Sequence, residues 1–223
     1  MLILPGFGDS GKGRKHQKDF FGDVGYDLYI PDFTDRKSFE GTLQNINEFY
    51  YNHELDKYSK VHVFSYIMGS WVINSFINEN GKKNISTIVY DWSPLQERAP
   101  KIIAEKMPLL GIMKVGKVLV DLSNLEYPPI EKQGISIGII VESKATPLIR
   151  IFKKQALSYG KLNWSAASFN QVHDDLIYTR LNHDQMYILF DVIGEDILNF
   201  IKFGKFKEAS QRTPYDWDIF SKN

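Results

Sequence analysis

Short apolar runs separated by segments of helical periodicity constrain this chain more than any other feature. Runs suited to buried strands lie at Met1–Leu4, Tyr26–Ile30, Val61–Phe64, Thr87–Tyr90 and Ile135–Val141. Apolar residues recur at helical spacing over Phe39–Tyr51, Gly69–Asn78, Leu148–Leu157 and Met186–Phe203. Strand and helix therefore alternate. That pattern predicts an α/β fold of about six mostly parallel strands, with helices on both faces and ligand sites at the carboxyl ends of the strands.

The 223 residues suffice for one domain around one core. Lys and Arg number 27, against 27 Asp and Glu, so no net field attracts nucleic acid, which is not expected as a partner. Cysteine is absent, which excludes disulfides, thiolate metal sites and a cysteine nucleophile. Met1–Leu4 is too short and lacks the basic flank of a signal peptide, and no apolar run reaches the length of a membrane span. A soluble, cytoplasmic protein is the expectation.

Two regions interrupt the alternation. Residues 94–129 form an insertion containing "KIIAEKMPLLGIMKVGKVLVDL", in which Ile102, Ile103, Met107, Leu110, Met113, Val118 and Leu122 can line one apolar face. It reads either as a lid or lipid-facing cap, or as a segment packed on the sheet. The tail, residues 207–223, is polar but carries Tyr215, Trp217 and Phe220, which predicts docking on its own domain.

The opening "MLILPGFGDSGKG" admits three chemistries. Gly6, Gly11 and Lys12 match a phosphate loop, but Gly13 stands where that loop needs the Ser or Thr that holds magnesium. Gly6, Gly8 and Gly11 match a dinucleotide fingerprint, with Asp32 after the second apolar run as the ribose acid. Pro5-Gly6-Phe7 also suits an oxyanion loop. The segment "VHVFSYIMGSWVINSF" favours this third reading, because it is a strand passing through a tight turn into a helix. A nucleophile elbow has this form and needs small residues two positions either side of its centre. Ser65 and Gly69 supply them, around Ile67.

On these residues the chain resembles the α/β-hydrolase superfamily, and within it the small lipase-like, esterase-like and acyltransferase-like members. The likeness runs from Leu2 to about Phe206, so residues 1–206 are expected to form one domain with a cap at about 94–129. "LILPGFGDS" resembles the strand and oxyanion loop, "GYDLYIPDF" the next strand, and "VHVFSYIMGS" the G-H-S-M-G-G elbow with Ile67 in the serine position. "DWSPL" resembles a strand-end segment and "IGIIVESKATPL" a later core strand with its exit loop. "HDDLIY" is similar to the segment carrying the family's acid and "LNHDQMYILFDVIGEDILNFIKFGKF" to the closing histidine segment. The resemblance thus implies a triad remnant of Asp174 and His183, with oxyanion amides at Phe7 and Met68. Glu142 is an alternative acid and His173 an alternative histidine.

Ile67 offers a hydrocarbon where a serine hydrolase needs Oγ. Loss of that nucleophile costs roughly 10⁶ in turnover, leaving a residual 10³ to 10⁴ over water. A β-branched residue at positive φ is also strained by about 1 to 3 kcal/mol, so the turn is expected either to relax or to hold Ile67 under strain. Ser65 and Ser70 should point away from the position of attack, whereas Ser10, in the oxyanion loop, could approach it. The adjacent Asp174 and Asp175 read as a turn or helix cap rather than a metal pair. No metal or cofactor is expected.

Two functional classes follow. One is a pseudoenzyme that binds an acyl or lipid ligand or a protein partner. The other is an ester hydrolase or acyltransferase using a displaced nucleophile or an activated water.

Overall fold

The structure, a computed structural model, describes residues 1–22, 24–165 and 170–221. Five strands form one sheet in the order β1-β2-β3-β4-β5: Leu2–Leu4, Val61–Ser65, Ile85–Trp92, Ser136–Glu142 and Asp175–Thr179. Every pairing is parallel. The expected strand at Tyr26–Ile30 is reduced to a parallel bridge between Tyr29 and Leu2. Ile3 N–H donates to Tyr29 O and Tyr29 N–H to Met1 O, so the segment keeps its place beside β1 without extending the ladder.

Helices cover both faces. Helix α1 (Gly11–Phe21), α9 (His183–Ile188) and α10 (Asp191–Phe203) lie on one side, where Ile3, Phe64, Val89, Ile140 and Ile177 meet Phe21, Tyr187, Phe190 and Ile197. Helices α2 (Phe39–Asn52), α3 (Ile67–Asn80) and α6 (Val118–Asn124) lie on the other, over Leu4, Val63, Ile88, Tyr90 and Ile139. Alternate residues of each strand enter opposite layers, as a doubly covered sheet requires. Two elements had weak sequence signals. Helix α1 buries only Gly13, Gln17 and Phe21, and β5 is a five-residue strand flanked by charged residues.

The insertion is three short helices rather than one apolar face: α4 (Ala99–Lys106), α5 (Pro108–Lys114) and α6. Pro108 opens α5 and Gly116, at positive φ, turns the chain into α6. Ile102, Val118 and Leu122 are buried, whereas Leu110 and Met113 are exposed. The expected helix at 148–157 is likewise split, into α7 (Pro147–Ile151) and α8 (Lys153–Ser158).

The described part of the tail lies against the domain. Gln211 O accepts Tyr178 N–H on the edge strand β5, and Ile219 O accepts Ala145 N–H just beyond β4. Arg212 pairs with Asp175, and Ile219 and Phe220 pack on the cluster of Leu95, Ala99, Ile102, Ala145 and Ile149.

Candidate active site

The carboxyl ends of β3 and β4 and the start of α9 bring three ionisable side chains together. Asp91 and Glu142 stand at or next to the ends of their strands, and His183 is the first residue of α9. Asn182 caps that helix by accepting Gln185 N–H, while Gln185 returns a bond to Asn182 N–H, a reciprocal capping box that fixes where the imidazole begins. His183 Nδ1 lies 2.6 Å from Glu142 Oε1 and 3.3 Å from Asp91 Oδ2. Both acids are fully buried and the histidine nearly so. Glu142 Oε2 and both oxygens of Asp91 have no hydrogen bond from any described residue.

Charge balance follows from this burial. Removal from water, reinforced by the neighbouring Asp91, drives the Glu142 carboxyl well above the usual range. Burial alone pulls His183 down, but the charge of Glu142, its bond to the ring and the close approach of Asp91 outweigh it and raise the imidazole to about 10. The two carboxyl neighbours thus favour the imidazolium form of the ring.

The three groups offer ligand atoms within 4.8 Å of one another. Two ligands of one tetrahedral zinc ion stand about 3.3 Å apart, given metal–ligand bonds near 2.0 to 2.1 Å. The 2.6 Å contact between Nδ1 and Oε1 is a charge-assisted hydrogen bond instead.

This geometry replaces Asp174 with Glu142 as the acid facing His183. Asp174 adjoins the opposite, amino end of β5, where it accepts Ile137 N–H and pairs with Lys132. Register pairs Gly138 with Asp175 and Glu142 with Thr179. Four residues of strand, about 13 Å, thus separate the two ends. His173 lies at that amino end too, its Nδ1 3.1 Å from Gln171 O. The choice between acids depended on where β5 begins, which its charged flank obscured. Asp91 was missed altogether; its one sequence signal is a carboxylate inside the apolar run "TIVYDW".

The turn at Ile67 is relaxed. Tyr66, the N-cap of α3, has φ −71° and ψ 167°, and Ile67 is the first helical residue. It is not among the non-glycine residues with positive φ, namely Glu54, Lys83, Gln133 and Asn170. Gly69 meets the demand for a small residue literally, because a Cβ there would stand 2.3 Å from Leu4 O. Ser65 Oγ lies 3.1 Å from Ser70 Oγ, so these hydroxyls satisfy one another. Ser10 Oγ caps α1 by accepting Gly13 N–H. Among the described residues no hydroxyl makes a hydrogen bond to His183.

The opening glycines accommodate a side chain of the protein itself. A Cβ on Gly6 would lie 3.1 Å from Tyr187 Oη, on Gly8 2.9 Å from Tyr187 Cε2, and on Gly13 3.0 Å from Tyr187 Cβ. Gly6 N–H donates to Tyr187 Oη at 2.8 Å, and the Tyr187 ring stacks on Tyr66 with centroids 3.9 Å apart. The same Gly6 Cβ would lie 3.8 Å from His183 Nε2 and 3.7 Å from Met68 Cβ. Gly6, Met68, His183 and Tyr187 therefore share one cluster. Met68 N–H belongs to the first turn of α3, whose amides have no intrahelical acceptor. Phe7, beside Gly6, is partly exposed. Asp32 is exposed and paired with Arg14.

The same architecture occurs among solved structures. Carboxylesterase from the thaumarchaeon Nitrososphaera gargenis aligns over 91% of this chain and 90% of its own, with TM-score 0.58 and 8% identity. A Bacillus licheniformis lipase aligns over 91% and 90%, with TM-score 0.58 and 12% identity. The chain has the α/β-hydrolase fold. A mutant of tomato methylketone synthase I extends the likeness, over 92% of this chain and 98% of that one, at TM-score 0.56 and 12% identity. Identities this low concern the hydrolase fold alone. No family model matches the sequence, and no curated protein matches it.

Proposed function

We propose that this chain is an α/β-hydrolase scaffold without acyl-enzyme chemistry, used to bind an acyl or lipid ligand or a protein partner. The carrying observation is Ile67, a buried hydrocarbon in ordinary helical geometry at the elbow. Three features support the reading. Nucleophilic catalysis needs a base able to take the proton of the attacking group, whereas the two carboxyl neighbours of His183 favour its protonated form. The Gly6 amide, next to the expected oxyanion amide of Phe7, is already bonded to Tyr187. Ile67, Met68 and His183 are all almost sealed from solvent, at 7, 4 and 6% exposure.

Two clefts lie away from this cluster. A cleft of about 470 Å³ lies between the tail and the exit of β4, beside Ser143, Trp164 and Tyr215. Another of about 230 Å³ lies between α3 and the cap, beside Trp71, Leu122 and Tyr127.

A serine-reactive fluorophosphonate and intact-mass measurement test the proposal. The natural protein should remain unmodified; addition of one probe overturns the reading, and peptide mapping would name the nucleophile. A second reading, hydrolysis by activated water, draws on the His183–Glu142 contact. Ester turnover abolished by His183→Gln would establish it.

A further inference from the structure

Helix α5 is packed inside out. Its buried residue is Gly111, where a Cβ would stand 2.5 Å from Ile103 Cγ2 and 2.6 Å from Leu119 Cδ2. The glycine lets the helix backbone sit directly on its neighbours. Its large apolar side chains face solvent as a result: Leu109 is 77% exposed, Leu110 62%, Ile112 38% and Met113 74%. Four such residues within five positions form a contiguous apolar surface, which folded chains seldom leave unused.

Charge decides what the surface fits. Lys106, Lys114 and Lys117 flank it and are exposed, and Arg36 is held there by donating to Met113 O. The nearby acids are engaged by other partners: Glu105 accepts from Gln155 and Tyr159, and Asp121 accepts Phe39 N–H. A chain with equal numbers of acidic and basic residues thus concentrates cations around its exposed apolar helix. An apolar face rimmed by Lys and Arg suits the boundary between anionic headgroups and acyl chains.

We infer that α5 docks on an anionic bilayer surface, with Leu109, Leu110 and Met113 entering the headgroup boundary and Lys106, Lys114 and Lys117 meeting lipid charge. Such docking gives the cap a partner that the binding proposal leaves unspecified. It does not depend on loss of catalysis, because an active esterase would carry the same surface.

The test is sedimentation of the full chain with phosphatidylcholine vesicles containing or lacking phosphatidylserine. Two variants accompany it, Leu109→Ser/Leu110→Ser/Met113→Ser and Lys106→Gln/Lys114→Gln/Lys117→Gln. Their positions are solvent-exposed, and circular dichroism confirms that each variant folds. The natural protein should bind the anionic vesicles selectively. Each lysine near the surface is worth about fivefold in partitioning, so the lysine variant should bind on the order of 100-fold more weakly, and the apolar variant at least tenfold more weakly. Absence of binding, binding indifferent to phosphatidylserine, or binding unchanged in the apolar variant overturns the inference. So does a concentration-dependent dimer that the apolar variant disperses without vesicle binding by the natural protein, since a second copy would then be the occupant.

Discussion

His183 Nδ1 and Glu142 Oε1 lie 2.6 Å apart, both groups buried, with Asp91 close enough to add its charge. A histidine that gains such partners binds its proton more tightly in the folded chain than in the unfolded one. Its contribution to stability is complete below its ordinary value of 6.5 and is lost as pH rises through about 10. The raised carboxyl of Glu142 acts in the same sense.

Urea unfolding between pH 6 and 10 should therefore show stability falling with pH, by up to about 1.4 kcal/mol per pH unit for each extra proton held by the native state. His183→Gln should flatten that slope. Stability that rises over the same interval would contradict the proton assignment.

Tyr187→Phe isolates one hydroxyl. The ring stack on Tyr66 can persist, but Gly6 N–H loses its acceptor in a buried setting, at a cost of about 1 to 3 kcal/mol. In an Ile67→Ser background the same change should increase fluorophosphonate labelling, because it frees an amide beside His183. Equal labelling with and without the tyrosine hydroxyl would show that Tyr187 does not obstruct the site.

Gly69→Ala should destabilise the fold by about 1 to 3 kcal/mol or more, since overpacking has no easy relief here. The obstructing atoms are the carbonyl oxygen and Cβ of Leu4, a fully buried residue held in β1 by its pairing with β2, which cannot swing aside as a surface side chain can. Thermal unfolding of the single variant measures the effect, and an unchanged Tm would mean that α3 can lift from β1 without loss.

Truncation after Lys207 should lower stability and solubility together. Tyr178 N–H and Ala145 N–H lose their tail acceptors, worth about 1 to 3 kcal/mol each if no water replaces them. The edge of β5 also becomes available for pairing with other chains. Light scattering during a thermal ramp should show aggregation at lower temperature than in the full chain. A truncated chain matching the full one would assign the tail no structural role.

The alternation of apolar runs and helical periods specified a covered parallel sheet, because a strand buried on both faces needs a continuous apolar sequence such as "GIIV". Local spacing also placed the elbow as a strand-to-helix turn with a small residue at Gly69, although the atom that demands it, Leu4 O, comes from another strand. His183 was legible only through the resemblance of its segment to the family's closing histidine segment, since a histidine at a helix start reads by itself as a cap. Which acid faces it was not: Asp174 is nine residues away in sequence yet at the wrong end of β5, whereas Glu142 and Asp91 arrive from two other strands. Strand register is a long-range property, set by pairing across the sheet rather than by neighbours along the chain. The glycines of the opening string likewise have one meaning in sequence and another in space. Their spacing suggests room for a phosphate, but the folded chain brings Tyr187 back across more than 170 residues to fill it.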